Sequence, residues 1–266
     1  MYNLKYNLII LVISMNTVKY EKLTLEFDSE NEGYVVTECE KDVISVAIPK
    51  KIDNIPVTII GDYAFSECEN LINITFPLYD IDDFINNAFI KRIGEHAFSN
   101  CKSLEEIVLP NHLFSIYSSA FYNCKLLRKV TFPDNTFVGS YAFYQCDSLT
   151  EVSKVENVSE GAFSHCKSLR YLPIGNSTYE IDEDAFEHCD SLTEITIPAS
   201  IKTIGKLAFR GCKNLKLVHF EDVDNWFWYN RYSGEDVKID VSDPTKMADW
   251  LAKMDFDDGI GSLFKK

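Results

Sequence analysis

The most regular feature of the chain is an apolar pattern that returns about every 23 residues. An Ala-Phe pair, a Cys three residues after the Phe and a Leu three residues after the Cys occur together seven times. A β-branched residue stands eight positions before each Cys, and an apolar residue follows six positions after it. The seven cysteines are Cys68, Cys101, Cys124, Cys146, Cys166, Cys189 and Cys212. Self-similarity at such a period predicts a repeat protein.

Each unit predicts one turn and one short strand. Ala, Phe and Cys stand at i, i+1 and i+4, which places them on one side of a helical or 3₁₀ turn, and the segment after Leu alternates with period two. A single unit cannot bury its apolar edge, so neighbouring units must stack with parallel strands about 4.8 Å apart. The pattern therefore predicts a solenoid whose Phe and Cys side chains form interior columns.

The unit resembles the leucine-rich repeats of the BspA-like family, which carry the signature Ile-Gly-x-x-Ala-Phe-x-x-Cys-x-x-Leu. The Ile-Gly pair is kept at Ile60-Gly61, Ile93-Gly94 and Ile204-Gly205 but is replaced at Ile116-Tyr117 and Ile181-Asp182. The resemblance covers Tyr34 to Asp222. It implies an α/β repeat fold, namely one curved leucine-rich-repeat solenoid with a parallel strand ladder and short helical or 3₁₀ turns. It also implies an N-terminal hairpin cap and a C-terminal capping segment with a helix.

The predicted organisation has five parts. Residues 1–33 have no assigned status, 34–58 form a cap and an incomplete coil, and 59–222 hold the seven repeats with an insertion at about 78–92. Residues 223–254 form the C-terminal cap, in which Ser242-Asp243-Pro244 predicts the start of a helix. Residues 255–266 are expected to be an acidic flexible tail.

The N-terminal segment bears on the compartment. The apolar run from Leu8 to Ile13 is shorter than the roughly 7–15 residues of a signal-peptide core, and Met15 offers a second start. The expectation is a cytoplasmic protein, with a surface or secreted protein as the alternative that the family resemblance implies.

Charge and composition exclude some partners. Asp and Glu outnumber Lys and Arg 41 to 26, so the net charge of −15 argues against binding a phosphate backbone. No apolar run approaches the ~20 residues of a membrane-spanning helix. We therefore expect no nucleic-acid partner and no membrane span.

Catalytic and metal-binding motifs are not found. Seven of the eight cysteines share one repeat position, which favours a buried column over disulfides or metal ligands. The best metal pair, His165 and His188, occupies the same position in successive coils without further ligands. The sequence also lacks a catalytic triad, a Gly-rich phosphate loop and a Cys-x-x-Cys pair. We expect no enzyme, no cofactor and no metal.

Three surfaces are candidates for binding. The first is the outward side of the strand that follows each Cys, for which a solvated polar face is the alternative. Its candidate residues are Tyr171, Leu217, His219, Lys129, Glu106, Glu151 and Glu194. The second is the insertion, either a degenerate coil or a protruding loop, with candidates Asp80, Asp82, Asp83, Phe84 and Phe89.

The third candidate surface is aromatic and follows the last repeat. It consists of Trp226, Phe227, Trp228, Tyr229 and Tyr232. These rings could contact a partner or a glycan, or could instead shield the open end of the solenoid. Together the sequence predicts a monomeric, non-enzymatic recognition module for another protein or a glycan. The alternative is a cell-surface or secreted adhesin that binds host proteins, as the resemblance implies.

Overall fold

The structure is a computed structural model that describes residues 17–86, 88–230, 234–253 and 260–266. The run Leu8 to Ile13 and residue Tyr232 lie outside the described residues. The N-terminal part contains β1 (Thr17–Tyr20), β2 (Leu23–Asp28), β3 (Gly33–Cys39), β4 (Ser45–Ala47), β5 (Lys51–Ile52), β6 (Ile55–Ile60) and β7 (Asn73–Thr75). The coils continue with β8 (Arg92–Ile93), β9 (Glu106–Val108), β10 (Ser115–Ile116), β11 (Lys129–Thr131), β12 (Phe137–Val138), β13 (Glu151–Val152), β14 (Glu180–Ile181), β15 (Glu194–Ile197), β16 (Thr203–Ile204) and β17 (Leu217–Phe220). The C-terminal part has β18 (Trp226–Asn230), β19 (Glu235–Lys238) and β20 (Ile260–Lys265), and the two helices are α1 (Ile81–Ile85) and α2 (Pro244–Lys253).

A regular coil carries two short strands, one on each side of its Ala-Phe-x-x-Cys turn. The strand before the turn pairs in parallel with its counterparts, so Ile116 of β10 lies between Ile93 and Val138. The strand after the turn does the same, with Val130 of β11 beside Ile107 of β9. Each strand therefore pairs with the equivalent strand of the neighbouring repeat. The leucine-rich-repeat solenoid predicted from the sequence is confirmed.

The turns have the i-to-i+3 hydrogen bonds of a 3₁₀ turn, one of the two forms that the spacing suggested, but they do not continue as a helix. In the coil of Cys101, Ser99 N donates to His96 O at 3.0 Å and Cys101 N donates to Phe98 O at 3.2 Å, which gives successive β-turns. His96 and Asn100 adopt left-handed φ values of 52° and 61°, and a left-handed residue interrupts a helix. The amide of Phe98 is thereby free to donate to Ala120 O of the next coil at 2.7 Å.

The Phe side chains form the expected interior column. Consecutive rings lie 4.9 to 5.8 Å apart between centroids and are tilted by only 4° to 12°. The rings are Phe65, Phe98, Phe121, Phe143, Phe163, Phe186 and Phe209, and all are buried. Stacking of this kind adds to the free energy of burial and fixes the distance between coils.

The cysteines form a second interior column with its own hydrogen bonds. From Cys101 to Cys212 each thiol donates to the carbonyl of the Phe in the preceding coil, as Cys146 Sγ does to Phe121 O at 3.2 Å. All eight cysteines are free and buried. Burial raises the pKa of the Cys189 thiol well above its ordinary value, so it stays protonated and available as a donor.

Both ends of the solenoid are capped by antiparallel strands. At the N-terminus β1, β2 and β3 form a meander, and β3 then pairs in parallel with β6 of the first coil. Residues 17–33, which had no assigned role, thus supply most of this cap. At the C-terminus Met247 and Leu251 of α2 are buried, and the helix lies against β17.

The C-terminal segment contains a strand where the sequence suggested a flexible tail. β20 pairs with β16 on one side and β18 on the other, and Leu263 is fully buried. The alternation of a few apolar residues in so short a segment is too weak a signal to show this pairing beforehand. Residues 255–259 of the expected tail lie outside the described residues.

Candidate functional site

The strand after each Cys is expected to present outward the residues five and seven positions after that Cys, and β9 and β11 follow this alternation. In β9, Ile107 is buried while Glu106 and Val108 are exposed. Lys129 of β11 is exposed as well, and its ammonium lies 2.7 Å from a carboxylate oxygen of Glu151 in the next coil. Exposed ion pairs of this type contribute about 0–1 kcal/mol to stability. Their main consequence here is that these charges partly neutralise each other.

The seven candidate residues of this face do not share one sheet. The structure separates the strands into the groups β4-β7, β9-β11-β13 and β15-β17. Glu106, Lys129 and Glu151 belong to the second group, whereas Glu194, Leu217 and His219 belong to the third. Tyr171 is exposed but lies in no strand between the two groups. The candidate strand face is therefore divided between two ladders, and the coil of Tyr171 between them contributes no strand to it.

The aromatic segment mainly serves as a cap. Trp226 is only 1% exposed, packs edge-on against Phe220 at 5.1 Å between ring centroids, and donates its indole N–H to Asp222 O at 2.8 Å. It is a core residue and is excluded as a contact residue. Phe227 and Trp228 are half-buried, while Tyr229 is exposed. The reason is that the last coil has no following neighbour to cover its apolar edge.

The insertion is a short helix anchored by buried groups. The Asp80 carboxylate accepts hydrogen bonds from the amides of Asp82 and Asp83, and the Asp80 amide donates to the Asp83 carboxylate at 3.0 Å, which completes a capping box. The Asp83 carboxylate is buried 2.5 Å from the ammonium of Lys50, and this contact lowers the pKa of Asp83. Phe89 is buried too. Asp83 and Phe89 are thus excluded as contact residues, since they hold the insertion in place.

The insertion also exposes apolar side chains that the sequence reasoning missed. Leu78 is 87% exposed, and Ile81 and Ile85 of α1 are 67% and 71% exposed. Phe84 of α1 and Val108 of β9 are exposed as well. We call Leu78, Ile81, Phe84, Ile85 and Val108 the insertion surface. The signal was present in the sequence, because Ile81 and Ile85 stand at i and i+4 directly after the capping box.

A groove connects the insertion to the strand face. No ladder joins β7 to β9 in the part of the chain that the structure describes, since β7 pairs with β4 and β9 with β11. The gap between them has a volume of about 370 Å³. Its walls include Phe76, Pro77, Leu78, Val108 and Pro110. The ten-residue insertion between these two coils accounts for the break in pairing.

The histidines provide no evident metal centre. His165 and His188 stack with ring centroids 4.8 Å apart, and a Glu187 carboxylate oxygen lies 4.0 Å from Nε2 of each. Burial lowers the pKa of His165. Among residues 17–86, 88–230, 234–253 and 260–266 there is no group of three His, Cys, Asp or Glu side chains arranged to hold a metal ion. No helix within those ranges is long and apolar enough to cross a membrane.

Comparison with known proteins agrees with this architecture. The family model for the BspA type leucine rich repeat region matches six copies over residues 34–150 and 137–229. None of the curated proteins compared with the chain matches it. Among solved structures, a leucine rich repeat protein of T. pallidum is 27% identical, with a TM-score of 0.54 over 77% of this chain and 83% of that one.

A second solved structure is a leucine rich cell surface protein of Faecalibacterium prausnitzii. It is 25% identical to this chain, with a TM-score of 0.65, and the match covers 84% of this chain and 61% of that protein. The chain therefore spans less than two thirds of the length of this relative. Because the family model covers most of the sequence and the same coils stack in the structure, the chain belongs to the BspA-type leucine-rich repeat family.

Proposed function

We propose that the chain is a non-enzymatic recognition module that binds another protein through the insertion surface and the adjoining groove. The observation that carries this proposal is the group of large apolar side chains exposed together on a strongly charged protein. Contiguous apolar surface on a soluble protein typically marks an interaction site. The repeat scaffold supports the proposal, because stacked coils present rigid, extended surfaces.

A protein partner fits the site better than a glycan. Glycans are commonly bound by exposed aromatic faces, but the described aromatic end leaves only Tyr229 exposed. The insertion surface is mainly aliphatic, and aliphatic side chains recognise apolar protein groups. Among the strand-face candidates, Tyr171 is the largest exposed ring and can extend the contact.

The test compares the tagged wild-type chain with three variants in affinity purification from native cell lysate and from culture medium. Ile81→Ser/Ile85→Ser removes the exposed helix side chains, and Tyr171→Ser tests the strand face. Tyr179→Ser is the matched control, because Tyr179 is 64% exposed and directly precedes β14, which belongs to a different sheet from the strands of the candidate face. Circular dichroism and urea unfolding verify that each variant is folded. We expect the Ile81→Ser/Ile85→Ser variant to lose the specific partner, while equal recovery by all four proteins would overturn the proposal.

A cell-surface adhesin is the second candidate function. The F. prausnitzii relative described as a cell surface protein favours it. A tagged chain expressed in its native cell should then be cleaved by protease added to intact cells. Protection from the protease until the cells are lysed would rule out the adhesin without contradicting the proposed recognition module.

A further inference from the structure

We infer that the insertion surface and groove receive a basic amphipathic segment of a partner protein, with two large apolar side chains flanked by Lys or Arg. This inference rests on the proposed protein-binding function and specifies the chemistry of the partner. Three features of the site support it: the rigid apolar helix, the size of the groove and the charges at its rim.

The exposed apolar side chains stand on a fixed base. Beneath α1, the Asp83 carboxylate contacts the Lys50 ammonium, and the ring of Phe84 stacks on that of the buried Phe89 at 5.5 Å. Ile81 and Ile85 are one helical turn apart and are exposed to solvent, whereas Asp83 is the buried residue of the helix. A partner binding here does not have to order the helix first, which reduces the entropic cost of association.

The groove is of a size to accept side chains but not a whole domain. Its volume of about 370 Å³ is near the lower limit of typical ligand pockets. Leu78 and Val108 are exposed while also lining the groove, and Leu78 stands only two residues before the N-cap of α1, so α1 begins close to the groove. A segment with two apolar anchors can place one against α1 and the other in the groove.

The negative charges at the rim of the groove favour a positively charged partner. Asp80 at the N-cap and Asp82 in the first turn of α1 are exposed, and Glu106, whose carboxylate also lies 3.8 Å from the guanidinium of Arg128, lines the groove. Asp82 forms no ion pair with any residue that the structure describes. The net charge of −15 gives the whole chain a negative field, which attracts basic partners and repels a second copy of this acidic chain. The same field disfavours an anionic membrane surface.

The test selects binding sequences without assuming one. A display library of random 12-residue peptides is panned on the immobilised full chain and, in parallel, on the Ile81→Ser/Ile85→Ser variant. We expect peptides enriched only on the wild type, with two large apolar residues three or four positions apart and a net positive charge. The enriched peptide is then synthesised with a fluorescent label, and its dissociation constant is measured by anisotropy.

The expected changes in affinity separate the apolar and the charged contributions. Ile81→Ser/Ile85→Ser should weaken binding at least about tenfold, because two aliphatic side chains that the bound peptide covers are lost. Asp82→Asn, which removes a charge without an internal partner, should weaken it about two- to fivefold, and this difference should disappear at high salt. Tyr179→Ser should leave the affinity unchanged.

Several outcomes would overturn the inference, and they differ from failure of the proposed function. Enrichment of acidic or neutral peptides that still require Ile81 and Ile85 would refute the basic partner but support protein binding at this surface. Peptides that bind wild type and the double variant equally, or no enriched peptide at all, would refute the inference. The affinity purification described above would then decide separately whether the chain recognises a protein.

Discussion

Replacing one ring of the Phe column tests the interior on which the whole solenoid depends. Phe143 is fully buried, and its ring centroid lies 5.3 Å from that of Phe121 and 5.5 Å from that of Phe163. Truncating a buried Phe to Ala costs about 3–5 kcal/mol, and each lost aromatic pair adds about 0.5–1.5 kcal/mol beyond its buried area. Phe143→Ala should therefore lower the free energy of unfolding by about 4–5 kcal/mol, at the upper end of this range.

The cavity left by Phe143→Ala should persist rather than collapse. Backbone hydrogen bonds hold this coil on both sides, since Phe121 N donates to Ala142 O at 2.8 Å and Phe143 N donates to Ala162 O at 2.9 Å. Neighbouring coils cannot approach without breaking these bonds. A cavity that does not relax adds its full free-energy cost to the lost burial.

Urea unfolding followed by circular dichroism measures the effect. With an m-value of about 2–3 kcal/mol/M, the urea midpoint of Phe143→Ala should fall by roughly 1.3–2.5 M. The control is Phe137→Ala in the same coil, where the ring is 53% exposed and the loss should stay near 1 kcal/mol or below. A loss for Phe143→Ala no greater than that for Phe137→Ala would refute the interior Phe column.

Three further substitutions test other features of the coils. Cys146→Ser should cost about 1–3 kcal/mol in urea unfolding, because a more polar hydroxyl replaces a fully buried thiol, and an unchanged midpoint would contradict the role of that column. Burial raises the pKa of Asp184 to about 6, so the ionised carboxylate disfavours the folded state. Asp184→Asn should therefore have a higher melting temperature than wild type above pH 6. This difference in melting temperature should disappear as the pH falls from 6 to about 4. Equal melting temperatures at pH 8 would contradict this. Gly211 and Gly234 both have φ of 71°, but an added Cβ would lie 2.4 Å from a ring atom of His188 only at Gly211. Gly211→Ala should thus lower the melting temperature more than Gly234→Ala, and the reverse order would show that the contact is unimportant.

The repeat pattern was sufficient to predict the solenoid and its interior columns. Ala, Phe and Cys recur at fixed positions in every coil, and a side chain that must be buried in each of several stacked units has to face inward. The same spacing could not separate a helical turn from successive β-turns, because both place these residues on one side. The left-handed residue before each Cys decides between them, and it is as varied as Asn100, Gln145 and His165.

The candidate surfaces were less predictable. Trp226 is buried because β18 pairs with the distant β20, and an aromatic run alone does not show which ring faces the core. The break between β7 and β9 depends on how the insertion fits between two coils. The i, i+4 spacing of Ile81 and Ile85 in the sequence predicts that they share one helix face, but only the structure shows that this face is exposed, because Asp83 and Phe89 are the buried residues of the insertion.

The sequence by itself determined the repeat unit, the parallel stacking of coils and the inward columns of Phe and Cys. The tertiary structure decided where the ladders break, which segments close the two ends and which apolar side chains remain exposed. The physical reason is that burial within a coil follows from a local pattern of apolar positions, and the sequence repeats this pattern in each coil. Pairing between distant strands and the placement of an insertion occur once each, and they depend on backbone hydrogen bonds that side-chain periodicity does not specify.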